Sequence, residues 1–155
     1  MKYFPRLLGL TLAFSAAQDV AAQSPACTGR VSTVKLYVDV EGVRASQGLI
    51  AVTLYADERS KFLAKGGSLY VGRVPASAGT TSVCIYLPST GTYALGVYQD
   101  LDSDRHYDRT GVGLPAEPFG FSNNPRVFLG MPNWDSVRLS VPRSDLRTTV
   151  RLRYP

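Results

Sequence analysis

The chain has one histidine, His106, one tryptophan and two cysteines. With a lone histidine and no Gly-x-Ser-x-Gly elbow to expose a serine, nucleophilic catalysis of the triad kind has little support. The usual redox pair, a close Cys-x-x-Cys, is absent. After the first 22 residues no apolar run is long enough to span a bilayer as a helix. The charge excess is small, +5 over the whole sequence. It falls to +4 once Lys2, Arg6 and Asp19 are set aside with the N-terminal segment, which is no nucleic-acid footprint. No internal repeat and no low-complexity segment is visible.

What is there begins with an export signal. Met1 to Arg6 is a short basic region, and Leu7 to Ala17 is an apolar run too short for a membrane helix. Val20-Ala21-Ala22 offers small residues to a signal peptidase, so the expected signal peptide is 1–22 and the expected mature chain is one domain, 23–155. Cys27 lacks the upstream leucine of a lipoprotein cut. Export to the periplasm or the exterior implies an oxidising compartment, where Cys27 and Cys84 are expected to close as a disulfide. The chain-entropy account gives that bridge about 4 kcal/mol.

The mature chain reads as strands. Val34, Leu36, Val38 and Val40 alternate with polar neighbours, and so do Ile50, Val52 and Leu54. The short connection between them, Gly42 to Gly48, favours an antiparallel hairpin. Phe62-Leu63 suggests one helical turn dropping two apolar side chains onto the core. Leu69 to Val71 reads as a short edge strand, Thr81 to Leu87 and Thr92 to Gln99 as two longer ones. Gly96 marks a place where a neighbour comes close. Val137 to Val141 and Leu146 to Tyr154 complete about seven strands. The expected fold is all-β, an antiparallel sandwich with little helix.

One connection does not fit short turns. From Asp100 to Asp135 no strand is evident, against a usual connection of ~4–6 residues. Tyr107, Phe119, Phe121, Phe128 and Trp134 give it too much apolar surface to stay in water. Asp100, Asp102 and Asp104 stand at spacing two, with Asp108 four further on. Carboxylates at positions one, three, five and nine of a curled loop can converge on calcium, and position seven, His106, offers a carbonyl. Glu117 can complete the shell by folding back. Two residues break the pattern: Arg105 stands where a glycine usually makes the sharp turn, and Gly111 where a bidentate Glu usually sits. The competing reading is an acidic turn neutralised by its own Arg105 and Arg109. A transition metal on His106 is chemically poor among hard carboxylates.

At this loop the sequence resembles a family of exported bacterial proteins, domain of unknown function 2141. The carrying pieces are Val38-Asp-Val-Glu-Gly-Val-Arg44, Gln47 to Tyr55, Leu87 to Ala94, Asp100-x-Asp102-x-Asp104-x-x-x-Asp108, Gly113-Leu-Pro-Ala-Glu117-x-Phe-Gly-Phe-Ser-Asn123 and Gly130-Met-Pro-Asn-Trp134. The resemblance runs from Cys27 to Val141. It implies a sandwich of transthyretin-like or carboxypeptidase-regulatory (Ig-like) type, export, and no established activity. Relatives tend to carry Asn at the second and third acidic positions and Asn-Gly-Lys after them. Here Asp102 and Asp104 add charge, which favours a cation, and Arg105 replaces the glycine.

Two functions follow. The first is an exported, non-enzymatic binding or accessory module. Its loop would bind calcium through Asp100, Asp102, Asp104, Asp108 and Glu117, and would present His106, Tyr107, Phe119, Phe121, Ser122, Asn123 and Trp134 to a cell-envelope polysaccharide or protein. The aromatic residues have a plainer alternative, a small secondary core that pins the loop. The second is a hydrolase acting on an extracellular glycan with a carboxylate pair such as Asp102 and Glu117. Arg138, Arg147, Arg151 and Arg153 are expected on one outward face, as a solvated face that discourages edge pairing or a contact for anionic lipid or polysaccharide.

Overall fold

The structure, a computed structural model, describes residues 24–155. The expected signal peptide, 1–22, lies outside the described residues. The fold is all-β. Its strands are β1 (Cys27–Thr28), β2 (Val34–Val43), β3 (Leu49–Ala56), β4 (Tyr70–Pro75), β5 (Gly79–Leu87), β6 (Gly91–Asp100), β7 (Phe119–Phe121), β8 (Val127–Phe128), β9 (Met131–Pro132), β10 (Leu139–Val141) and β11 (Leu146–Arg151). A single helical turn, α1 (Trp134–Val137), precedes β10.

Two sheets carry the fold. One has the order β1-β5-β2-β11; the other runs β10-β6-β3-β4, with β7 also paired to β6. β10 bonds the first residues of β6 (Leu139 opposite Tyr93) and β7 the later ones (Phe121 opposite Gly96). One apolar cluster joins the sheets. Leu36, Val38 and Val40 of β2 and Val83, Ile85 and Leu87 of β5 meet Ile50, Val52 and Leu54 of β3 and Leu95 and Val97 of β6. All are buried to 2% exposure or less, and each contributes roughly 1.5–3 kcal/mol of transfer free energy.

Several expectations are corrected. β2 and β3 do not form a hairpin. β2 pairs with β5 and β11, and β3 with β4 and β6, so the connection crosses between sheets. Alternation says which side of each strand is apolar, not whether two such sides lie side by side or face to face. The crossing is built locally. Pairing shifts between Glu41 and Val43, and Gln99, almost fully buried, donates through Nε2 to the Ala45 and Gln47 carbonyls at 3.1 and 2.9 Å. Gly48 closes it at φ +70°, where a Cβ would fall 1.9 Å from the Asp100 carbonyl oxygen.

Two pairings are parallel rather than antiparallel: β11 beside β2 and β1 beside β5. Cys27 therefore sits opposite Cys84 in register, and the two form the disulfide. The final strand ends at Arg151, not Tyr154, and Val137 belongs to the helical turn rather than to a strand.

The stretch between Asp100 and Asp135 is not free of structure. It supplies β7 and the β8–β9 hairpin and covers the far face of the β6 sheet. There Ala51, Tyr55, Ala94, Tyr98, Phe119, Phe121 and Val137 form a second buried cluster. This is why β3 is buried along nearly its whole length on both faces. Phe62 and Leu63 pack on this second cluster, not on the core between the sheets, and Leu63 takes φ +56°, which no helix allows.

Candidate functional site

Asp100 is the last residue of β6 and is fully buried. Its Oδ2 accepts the Arg105 N–H at 2.9 Å. The chain curls around it in steps of two: Asp102 Oδ1 accepts the Asp104 N–H at 3.2 Å, and Asp104 Oδ1 accepts the His106 N–H at 2.7 Å. Ser103 and Arg105 have φ of +64° and +69°. Arg105 thus adopts the left-handed backbone that a glycine usually supplies in such a turn, and its side chain does not prevent the curl.

Glu117 folds back from the far end of the loop. It is 4% exposed, and its two oxygens accept the Leu101 and Asp108 N–H groups at 2.8 and 3.1 Å. The Ala116 N–H returns to the Asp108 carbonyl. Oxygens of Asp100, Asp102 and Glu117 then lie within 4.8 Å of one another. Burial pushes the Glu117 carboxyl above its usual range, and Asp108 and Asp100 push the same way; the two N–H bonds oppose them.

The arginines do not neutralise this cluster. Among the described residues the ion pairs are His106–Asp104, Arg138–Asp57, Arg147–Asp39 and Arg151–Glu41. Arg109 instead donates to the Gly113 carbonyl at 2.9 Å and lies over the Tyr107 ring. The imbalance is concentrated on one atom: Asp100 Oδ1 is buried and has no hydrogen-bond partner. An orphaned buried acceptor costs about 1–3 kcal/mol, more when charged. Three hard oxygen ligands around such an atom are the chemistry of a calcium-type cation, which takes six to eight oxygens at about 2.3–2.6 Å. Carbonyls and water would supply the remainder.

Not every acidic residue joins. Asp104 lies outside the cluster, and its carboxylate is occupied by the His106 backbone and ring. Asp108 contributes only backbone groups, and its side chain is exposed. The His106 ring is itself exposed and turned to Asp104, at 3.0 Å from that carbonyl.

The aromatic residues close the second cluster. Trp134 and Phe121 both lie against Phe62, and Tyr107 against Tyr98. Ser122 Oγ donates to the Val137 carbonyl at 2.5 Å and accepts the Leu95 N–H at 3.0 Å. Asn123 Nδ2 donates to the Arg138 carbonyl at 2.8 Å. Asn124, next along, accepts the Arg151 N–H and donates to the Thr149 carbonyl, in the manner of one more strand beside β11. Gly120 makes this approach feasible, since a Cβ there would meet the Arg151 carbonyl oxygen at 2.7 Å. The Phe-Gly-Phe-Ser-Asn run therefore spends its polar groups within the fold.

Of the four arginines, Arg138, Arg147 and Arg151 are exposed and Arg153 is half-buried. Arg138 is paired with Asp57, Arg147 with Asp39, Arg151 with Glu41, and Arg153 donates to the Pro125 carbonyl at 2.5 Å. Three of these outward arginines thus also hold acidic partners distant in sequence. One contributor had no signal in the sequence: Arg73 of β4 donates to the Arg105 carbonyl and the Tyr98 hydroxyl, tying the curl to the sheet.

The sequence model of a family described as an uncharacterized protein conserved in bacteria (DUF2141) matches residues 38–149. The chain belongs to this family. The DUF2141 match runs from β2 into β11 and contains Asp100, Asp102, Glu117 and the whole roof over the second cluster. It begins after Cys27 and ends beyond Val141, so its limits differ from those of the resemblance read from motifs. No curated protein and no solved structure matches the chain.

Proposed function

We propose that this DUF2141 protein is an exported, non-enzymatic binding module whose acidic loop is ordered by calcium. The fold type is a transthyretin-like or carboxypeptidase-regulatory-like β-sandwich of one domain. It works in the periplasm or outside the cell, with a cell-envelope polysaccharide or protein as partner. One observation carries the calcium reading. Asp100 Oδ1 is buried without a partner, in a cluster with Asp102 and Glu117 that no arginine among the described residues pairs with.

The test is calcium titration followed by thermal unfolding and by hydrogen exchange across residues 100–124. Saturation at 100 times the dissociation constant stabilises by about 2.7 kcal/mol when only the native state binds. Asp100→Asn removes the buried charge. Its stability without calcium should equal or exceed that of the parent, and its calcium-induced shift should vanish. An unchanged melting temperature of the parent in calcium, or an equal shift in Asp100→Asn, rejects the reading.

The glycan-hydrolase reading has one observation in its favour, the raised carboxyl of Glu117. Against it, Glu117 is buried with both oxygens held by backbone N–H groups. Turnover of an extracellular glycan that Glu117→Gln abolishes without loss of folding would favour the hydrolase.

A further inference from the structure

The roof over the second cluster does not fill the space beneath it. A cavity of about 250 Å³ remains, walled by Tyr55, Tyr98, Tyr107, Phe119 and Phe121, with Arg109 also lining it. Gly96 of β6 lies in its lining, and the strand gives up stability there, since a glycine inside a strand costs roughly 0.5–1 kcal/mol. Nothing steric demands that glycine. A Cβ would meet Leu63 and Tyr55 at 3.6 Å and Phe121 at 4.0 Å, which is ordinary contact. The absent methyl keeps a hollow open.

Size and lining select an occupant. A dry cavity of roughly 150 Å³ holds benzene, so the larger volume here suits one six-membered ring with small substituents. The walls are aromatic, and three of the five rings belong to tyrosines. Tyr55 is buried and Tyr107 half-buried, and neither hydroxyl has a hydrogen-bond partner among the described residues, although both reach solvent. A purely apolar occupant would displace the water at these hydroxyls without replacing its hydrogen bonds, whereas an occupant with its own hydroxyls would replace them. Charge selects further. Arg109 is the one charged residue of the lining. Its Nη1 is held by the Gly113 carbonyl at 2.9 Å and its guanidinium stands 5.2 Å from the Tyr107 ring centre. The remaining N–H groups of the fork are free to meet a carboxylate.

We propose that this cavity binds a hydroxylated six-membered ring bearing a carboxylate, the chemistry of a uronic-acid residue. The ring lies among the aromatic walls, the carboxylate meets Arg109, and Tyr55 and Tyr107 bond the ring hydroxyls. The proposal rests on the binding-module reading but not on the cation. The acidic cluster is a separate site, linked to the cavity through Asp108, whose sequence neighbours are Tyr107 and Arg109, and through Arg73, which bonds both the Arg105 carbonyl and the Tyr98 hydroxyl.

The experiment is calorimetric titration with glucuronate, glucose and 4-hydroxybenzoate, in calcium and in chelator. The proteins are the full chain and its Gly96→Ala, Arg109→Gln and Tyr107→Phe variants, each checked for folding by thermal unfolding. Glucuronate should bind, about tenfold more weakly to Arg109→Gln, as loss of one charged hydrogen bond implies. Gly96→Ala, with a methyl in the hollow, should also bind more weakly, and Tyr107→Phe should lose several-fold. Glucose should not distinguish Arg109→Gln from the parent. No glucuronate binding to the folded parent in either condition overturns the proposal. So does binding by Gly96→Ala and Arg109→Gln as tight as by the parent, or tighter binding of 4-hydroxybenzoate than of glucuronate. Glucuronate binding without a calcium-induced melting shift rejects the cation alone; a calcium shift without glucuronate binding rejects the cavity alone.

Discussion

Asp39 and Asp100 are both acidic residues on strands, and their surroundings give them opposite fates. Asp39 of β2 sits beside Arg147 on the parallel strand β11, with Arg147 Nη1 at 2.6 Å and Ser82 Oγ at 2.6 Å from the same oxygen. Burial by itself would raise its carboxyl, but the hydrogen bonds from Arg147 and Ser82 and the charge of Arg147 prevail and hold it below its usual value of 3.8. The folded form therefore binds this proton less readily than the unfolded one. The stabilisation is present above pH about 3.8 and is lost as pH falls through the folded value. Asp39→Asn should cost about 1 kcal/mol near neutral pH, as a partly exposed pair allows. The gap to the parent should close in urea melts taken at progressively lower pH. A gap that persists at pH 2 would show that Asp39 acts by shape rather than charge. Asp100 has no such partner on Oδ1, and that absence, not acidity, is what sets it apart. The spacing of Asp100 and Asp102 was readable in the sequence. That Arg105 and Arg109 turn elsewhere was not, because charge near in sequence says nothing about where a long side chain finds its best contact.

At the scale of elements, strands that alternate over six or more residues were legible, and those set by distant contacts were not. β7 is three residues, paired to β6 on one side while Gly120 lets the β11 backbone come close. β1 is two residues paired to β5 in parallel, and neither length nor pattern announces it. Such a strand cannot hold itself. The Cys27–Cys84 bridge, closing a separation of 57 residues, is what fixes it. The chain-entropy account assigns that closure about 4 kcal/mol. Urea unfolding of Cys27→Ala/Cys84→Ala should show that loss against the oxidised parent. Amides of Cys27–Thr28 should lose protection while the β2–β5 ladder keeps its own. A loss under about 1 kcal/mol would mean that β1 docks without the bridge.

The whole molecule is a layered object: a main core between two sheets, and a roofed outer face on one of them. The core is mostly aliphatic, and nearly all of its large side chains come from regular strands, Leu152 just beyond β11 being an exception. The outer cluster is aromatic and is closed by irregular segments around Phe62, Tyr107 and Trp134. The cavity lies beneath its roof, and the acidic curl leading into it starts at the uncompensated Asp100 oxygen, so packing and charge both leave this layer weaker than the core. Layers of unequal stability open separately. In native-state hydrogen exchange at low denaturant and without calcium, amides of 101–118 and of β7 should exchange through a partial opening. That opening should lie several kcal/mol below the global unfolding that releases β2, β5 and the inner residues of β3. Phe62→Ala removes a ring that touches Tyr55, Phe121 and Trp134 and should lower the partial opening by about 3 kcal/mol. Leu36→Ala, in the core, should lower the global one instead. One common opening free energy for all these amides would mean that roof and core are a single cooperative unit. The long acidic segment would then be a structural part of the sheet rather than a separately ordered loop.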